Sequence, residues 1–222
     1  MDLRDIWYGV QYFVELRGGG RRLNLDMFNK LLQMADDEEL VTMLRMVFNP
    51  STEVEANQEQ IDILDKFKTV LPLTTTTVLL PENYLRFVTC DAFILPYGLL
   101  KFEMVSREEY TERKNCSLTI PSTTYPVVYL QRGYVYYDIG GGTSSATPSF
   151  IYYGTNVGAN KPLLVMKQED DIPKYDSLNS VELVWPDYMY SNIIWRILKY
   201  LNISVGDPNA IAETLKKTTD AP

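Results

Sequence analysis

Histidine is absent from the 222 residues, and with it go the commonest general base, the usual partner of a nucleophilic serine and the commonest transition-metal ligand. Most hydrolase and metalloenzyme chemistries fall away at this point. Cysteine is scarce, with only Cys90 and Cys116. The two thiols could pair, but in a chain of this length they read more simply as reduced residues of a cytoplasmic protein, and neither sits in metal-ligand spacing. No run of 18 or more apolar residues occurs, so no membrane span is expected. The start, MDLRDIWYG, is acidic and aromatic where a secretory signal needs a basic segment before a plain apolar one. Basic charge is also short: 21 Lys and Arg stand against 29 Asp and Glu, a net charge of −8. A protein whose main task is to hold nucleic-acid phosphates needs clustered cations, so that role is not expected.

What remains is ordinary globular material. Hydrophobic residues make up 45% and charged ones 23%, enough apolar surface for one domain with a real core, in which two lobes are conceivable. Sixteen tyrosines supply rigid contact area with a polar tip, suited to protein interfaces, although most read as half-buried strand residues.

The periodicity predicts an α+β fold: N-terminal helices, a central antiparallel β region with long loops, and a long C-terminal helix followed by a short terminal one. Leu3, Ile6, Trp7, Val10, Phe13 and Val14 form one helical face before Gly18-Gly19-Gly20. Asn24 is the expected cap of a second helix carrying Leu25, Phe28, Leu31 and Leu32, with apolar spacing resuming at Leu40, Met43, Leu44 and Val47. A further helix is expected from Asn57 to just before Pro72, with Ile61, Leu64, Phe67 and Val70 on one side. Strands are expected at 74–80, 85–94, 100–105, 127–131, 134–139, 150–153 and 163–166, interrupted by a helix opened by the capping box Ser106-Arg107-Glu108-Glu109. Trp185-Pro186-Asp187 opens the last main helix, with Ile193, Ile194, Ile197, Leu198 and Leu201 inward, and Asp207-Pro208 starts a short helix before the tail TTDAP. The division expected is a helical part over 1–72, a mainly β part over 73–184 and C-terminal helices over 185–222.

Chemistry-bearing motifs are few. Asp138-Ile139-Gly140-Gly141-Gly142-Thr143 looks like a phosphate loop of the actin and Hsp70 ATPases, because glycines let backbone amides approach a phosphate. That family needs a longer chain with two related lobes and an earlier phosphate loop, so a Gly-rich link between antiparallel strands is the expectation. Gly18-Gly19-Gly20-Arg21-Arg22 lacks the ending of a P-loop; Arg21 and Arg22 could touch DNA or a carboxylate, but a connection between helices is expected. Asp36-Asp37-Glu38-Glu39 and Glu169-Asp170-Asp171 could surround Mg²⁺ or Ca²⁺, yet without EF-hand spacing they read as solvated acidic turns. No nucleophile has a recognisable partner, so no catalytic residue, metal or cofactor is expected.

Read in order, several pieces resemble the neck and head–tail connector proteins of tailed bacteriophages, particularly the ring proteins of crAss-like phages. They are the opening helix with its Gly/Arg turn and Leu25-Asp26-Met27-Phe28-Asn29-Lys30-Leu31-Leu32, then Leu80-Pro81-Glu82-Asn83-Tyr84 and the stretch 105–110. Tyr125-Pro126-Val127-Val128-Tyr129 with Tyr134-Val135-Tyr136-Tyr137, and Val184-Trp185-Pro186-Asp187, complete the order. The loop over 139–148 replaces the basic, Pro-containing segment of that family. The resemblance implies a virion protein assembled in the host cytoplasm, self-association into a twelve-fold ring, portal and other ring or tail proteins as neighbours, and a channel that encloses DNA without specific binding. It also implies a docking role for the C-terminal region, where Ile211 and Leu215 form one stripe ending in Lys216 and Lys217.

Overall fold

The computed structural model describes residues 2–17, 22–48, 58–94, 97–140, 147–169 and 172–203. In chain order the elements are α1 (Leu3–Arg17), α2 (Leu25–Phe48), α3 (Gln58–Asp65), β1 (Lys68–Pro72), β2 (Thr77–Leu79), β3 (Tyr84–Ile94), β4 (Gly98–Lys101), β5 (Glu103–Met104) and α4 (Arg107–Asn115). They continue with β6 (Val127–Gln131), β7 (Tyr134–Asp138), β8 (Ser149–Gly154), β9 (Met166–Glu169), β10 (Ile172–Tyr175), a 3-10 turn at Asp187–Met189 and α5 (Tyr190–Tyr200). The fold is mixed α+β, and it divides into two compact units, Phe67–Thr155 and the remainder. The boundaries between the units fall at 66/67 and 155/156.

The first unit is helical. Asp2 and Asp5 open α1 reciprocally, each side chain accepting from the other's backbone N–H at 3.2 and 2.9 Å, which helps to satisfy the donors of its first turn. The expected face of α1 is buried, with Trp7 half-buried and edge-on to Phe28 at 4.9 Å. Asn24 caps α2 as expected, its Oδ1 accepting from Met27 N at 2.7 Å. The two apolar stretches it carries belong to one unbroken helix of 24 residues. Ile193, Ile194, Ile197 and Leu198 of α5 are fully buried, whereas Leu201 lies past the helix end and is half-buried. Pro186 precedes the 3-10 turn, so the α-helix starts at Tyr190, later than expected. Of the strand expected at 163–166, Leu163 makes an isolated bridge with Val181 and Met166 opens β9, so the strand lies later than expected. Leu164 is held instead by Asn29, whose amide accepts from Leu164 N at 2.9 Å and donates to its carbonyl at 3.0 Å, a side chain standing in for a neighbouring strand. The hairpin β9–β10 was not foreseen; its pairing joins Met166 to Tyr175 and Glu169 to Ile172.

The second unit holds two four-stranded sheets, β1-β8-β3-β4 and β2-β7-β6-β5. They share one core: Cys90, Ala92, Ile94, Phe150 and Tyr152 from the first sheet meet Val128 and Val135 from the second. The expected helix through Val70 is corrected here. It stops at Asp65, and Lys68–Pro72 forms β1, which pairs with β8 along its whole length and leaves Val70 exposed. The strand expected at 100–105 is broken into β4 and β5. One pair departs from the antiparallel expectation: β5 runs parallel to β6, because α4 lies between them in sequence and returns the chain to the same end of the sheet. Cys90 is buried and Cys116 exposed, and both are free thiols.

Candidate functional site

The Gly-rich motif lies at the end of β7, and the residues around it form a cleft of about 630 Å³ lined by Lys114, Ile120, Pro121, Ser122, Thr123, Asp138, Ile139 and Gly140. Three pieces of local structure place those side chains. Ser106 caps α4, its Oγ accepting from Glu109 N at 3.1 Å. The expected return bond is replaced: the Glu109 carboxylate binds Arg113 at 2.5 Å, and Arg113 also forks onto Glu103 at 2.6 and 2.8 Å. Those bonds hold Glu103 below the usual carboxylate range and push Arg113 further up, so α4 is clamped to β5. The β6–β7 turn then runs through Arg132 and Gly133, both at positive φ (50° and 79°), which matches the twist of the flanking strands.

Tyrosines fill the face between α4 and the sheet. Tyr110 of α4 stacks on Tyr129 of β6 at 4.6 Å, and Tyr129 stacks on its cross-strand partner Tyr136 at 5.0 Å. Tyr110 donates its hydroxyl to Asp138 Oδ2 at 2.9 Å, and Lys114 donates to Tyr110 at 3.3 Å. Burial first and the Asp138 bond second raise the Tyr110 phenol above its ordinary value, while the bond to Tyr110 raises Lys114.

The same geometry decides what the Gly-rich motif can do. Asp138 Oδ1 accepts from Gly140 N at 2.8 Å, so the one described amide of the run that could face a phosphate is spent on its own turn. Gly140 has φ +62°, and a Cβ there would lie 2.2 Å from the Pro121 carbonyl oxygen. Glycine is required by the turn and the close chain passage alone. Among the described residues no group of three His, Cys, Asp or Glu side chains could hold a metal ion.

Of the other residues singled out from sequence, Arg22 is exposed, with Nε 3.7 Å from Glu15 Oε1. Arg21, Gly141, Gly142, Ile211, Leu215, Lys216 and Lys217 lie outside the described residues, as do the expected helix from Asp207 and the pair Asp170-Asp171. The acidic run at 36–39 is a correction: it is the middle of α2, not a solvated turn, and Asp36 and Glu39 are buried. Asp36 accepts from Trp185 Nε1 at 2.6 Å and from Asn156 Nδ2 at 3.1 Å. Glu39 accepts from Arg196 Nε at 2.5 Å and from Asn192 Nδ2 at 3.3 Å. Arg196 reaches on to Glu38 at 2.8 Å and Thr42 at 3.0 Å. Spacing contained the signal, since Asp36 and Glu39 continue the inward stripe of Leu32, Ala35, Leu40 and Met43, and Arg196 sits between Ile194 and Ile197.

No protein-family model matches the chain, and no curated protein matches it either. The class the fold defines is an α+β protein in which a two-sheet unit interrupts a helical one.

Proposed function

We propose that the chain is a structural protein of a tailed-phage virion, a subunit of a ring in the neck that joins the portal to the tail and surrounds the DNA channel. The observation that supports this reading is large apolar and aromatic side chains, such as Tyr8, Tyr12, Phe93 and Leu99, exposed on a helix of the first unit and strands of the second, residue types suited to subunit contacts. The order of elements that motivates the resemblance supports it, as does the net charge of −8, since a strongly cationic channel would bind the phosphates that must pass. In this reading the chain is no enzyme and takes no cofactor. Its partners are further copies of itself in a twelve-fold ring, the portal, and neighbouring ring or tail proteins.

Mass spectrometry of purified particles is the test. The chain should be present in stoichiometric amounts, and class averages of isolated necks should show rings that vanish when its gene is deleted. A chain found in infected cells but never in particles would instead make it an accessory binding protein. A nucleotide-binding enzyme is the other reading, favoured by the cleft beside Asp138 and Gly140. The engaged Asp138 carboxylate and Gly140 amide weigh against it, and radiolabelled ATP retained by purified protein would reverse that judgement.

A further inference from the structure

Within the second unit, β4 ends one sheet and β2 ends the other. Among the described residues β4 pairs only with β3, in one register from Asp91–Lys101 to Ile94–Gly98. The next pair in that register is bonded, since Phe102 N donates to the Cys90 carbonyl at 2.7 Å. Antiparallel bonding alternates, so Gly98, Leu100 and Phe102 turn their backbone groups toward β3, and Leu99 and Lys101 turn theirs away. On β2 the same reasoning applies. Tyr137 N donates to the Thr76 carbonyl at 3.2 Å and Leu80 N to that of Gly133 at 2.8 Å, so Thr76, Val78 and Leu80 face β7 while Thr77 and Leu79 face away.

The two open edges match. Each offers the backbone groups of two alternate residues, Leu99 and Lys101 on β4 and Thr77 and Leu79 on β2. Leu99 and Leu79 are 66% and 64% exposed, and Lys101 and Thr77 are exposed beside them. Between them Leu100 and Val78 point inward and pack on the shared core, yet both are only half-buried, so a strand added at either edge has apolar surface to cover. The remaining edges are less suited. On β1 the bond from Leu73 N to Pro148 turns Pro72 outward, where it has no N–H to give, and β5 is two residues long.

From these edges we propose that copies of this chain join through their sheets, β4 of one copy pairing antiparallel with β2 of the next. The proposal rests on the reading of the chain as a ring subunit and names the strands that would make the ring. Leu99 lies opposite Leu79 of the next copy, and Lys101 opposite its Thr77. That register engages the N–H and carbonyl of all four residues in four intermolecular hydrogen bonds. The Thr77 carbonyl already accepts from Thr75 Oγ1 at 2.6 Å, and its second lone pair remains for the new bond. The leucines then pair on the outer face while Leu100 and Val78 meet on the inner one, as alternation requires, and no like charges stand opposite one another. Two different edges give a heterologous contact, which closes into a ring when the rotation between copies divides a full turn.

Self-association of the full chain tests it, followed by light scattering and native mass spectrometry. Wild-type protein should form oligomers. Lys101→Pro and Leu79→Pro each remove an outward N–H that the subunit's own sheets do not use, so each should fold and weaken association by about tenfold or more. Lys101→Thr keeps the N–H and should assemble. Mixing the two proline variants should produce a one-to-one dimer and nothing larger, since each keeps the edge the other has lost. Charge at the leucine pair checks the register and stands as the test if a proline variant misfolds. Leu79→Lys combined with Leu99→Lys sets like charges opposite each other and should give a monomer, whereas Leu79→Glu combined with Leu99→Lys sets unlike charges there and should assemble. The proposal is overturned by a wild-type chain that stays monomeric, by proline variants that assemble as wild type does, or by two charge variants that behave alike. Loss of association in Lys101→Pro but not in Leu79→Pro also overturns it, since β4 would then be pairing with something other than β2. If the variants assemble normally and enter particles, the strand edges are wrong while the neck reading survives; absence of the chain from particles ends the neck reading whatever its oligomeric state.

Discussion

At the scale of single residues the helical unit depends on charges in its interior. Removing Arg196 would strand Glu39, whose side chain is 7% exposed, against α5. An uncompensated buried charge costs about 3 to 5 kcal/mol, so Arg196→Met should lower the unfolding free energy by that order in urea titrations. Pairing it with Glu39→Leu should recover a good part, since two apolar groups of similar volume replace an ion pair at little net cost. Asp36 gives a pH signature. Burial, the largest influence, raises its carboxyl above 3.8 in spite of the Trp185 and Asn156 hydrogen bonds. The native state therefore holds that proton to higher pH than the unfolded chain does. Stability from this group is full below 3.8, is lost as pH rises through the folded value, and is constant above it. Asp36→Asn cannot titrate, so wild type should lose ground against it across that window, and parallel stability curves would refute the assignment. None of this was legible as chemistry in the sequence, because a run of four acids looks solvated until its partners, 120 to 162 positions away along the chain, fold against it.

Local signals at the scale of elements were legible where they are self-contained. Asn24 and Ser106 cap the helices they precede, and β6 occupies the residues its alternation predicts. Legibility failed where an element exists only through its neighbour. Lys68–Pro72 carries a helical spacing with Phe67 and a β-branched pair, and only pairing with β8 makes it a strand. The β5–β6 pair is parallel for the same kind of reason, since topology and not composition sets strand direction. The cleft at the end of β7 was partly legible: the motif was visible, but the approach of Pro121 to Gly140 was not. Two substitutions separate these levels. Ser106→Ala should cost about 1 kcal/mol through the lost cap alone and leave the tyrosine stack in place. Gly140→Ala meets both a positive φ and a Cβ 2.2 Å from a carbonyl, so it should cost more than about 1 kcal/mol and perturb the Tyr110 environment by near-ultraviolet dichroism. Equal effects from the two changes would mean that the Gly140 turn is not held as described.

For the whole molecule the governing fact is that one unit interrupts the other. The chain leaves the helical unit after Lys66 and returns at Asn156. The two ends of the inserted unit meet, because Gly154 N donates to the Phe67 carbonyl at 3.2 Å and Lys68 pairs with Tyr153 in the same ladder. An insertion whose ends lie side by side asks little of its host, since a short link can replace it without stretching the flanking chain. It also owns its core, in which Cys90, Phe150, Val128 and Val135 are buried together from two sheets. Residues 67–155 expressed alone should therefore fold cooperatively into an all-β spectrum with the α4 contribution, with a single unfolding transition by dichroism. Joining Lys66 to Asn156 through a few Gly and Ser residues should leave the helical unit with its α2–α5 network and the Asp36 pH signature. The second outcome is the more demanding, because Asn156, the first residue after the insertion, donates to Asp36 at 3.1 Å and must be delivered to the same place by the linker. A helical remainder that folds but loses the Asp36 signature would show that β8 positions Asn156. A remainder that does not fold, beside an inserted unit that does, would mean that the helical unit needs the insertion for its own stability and that the division into separable units is wrong.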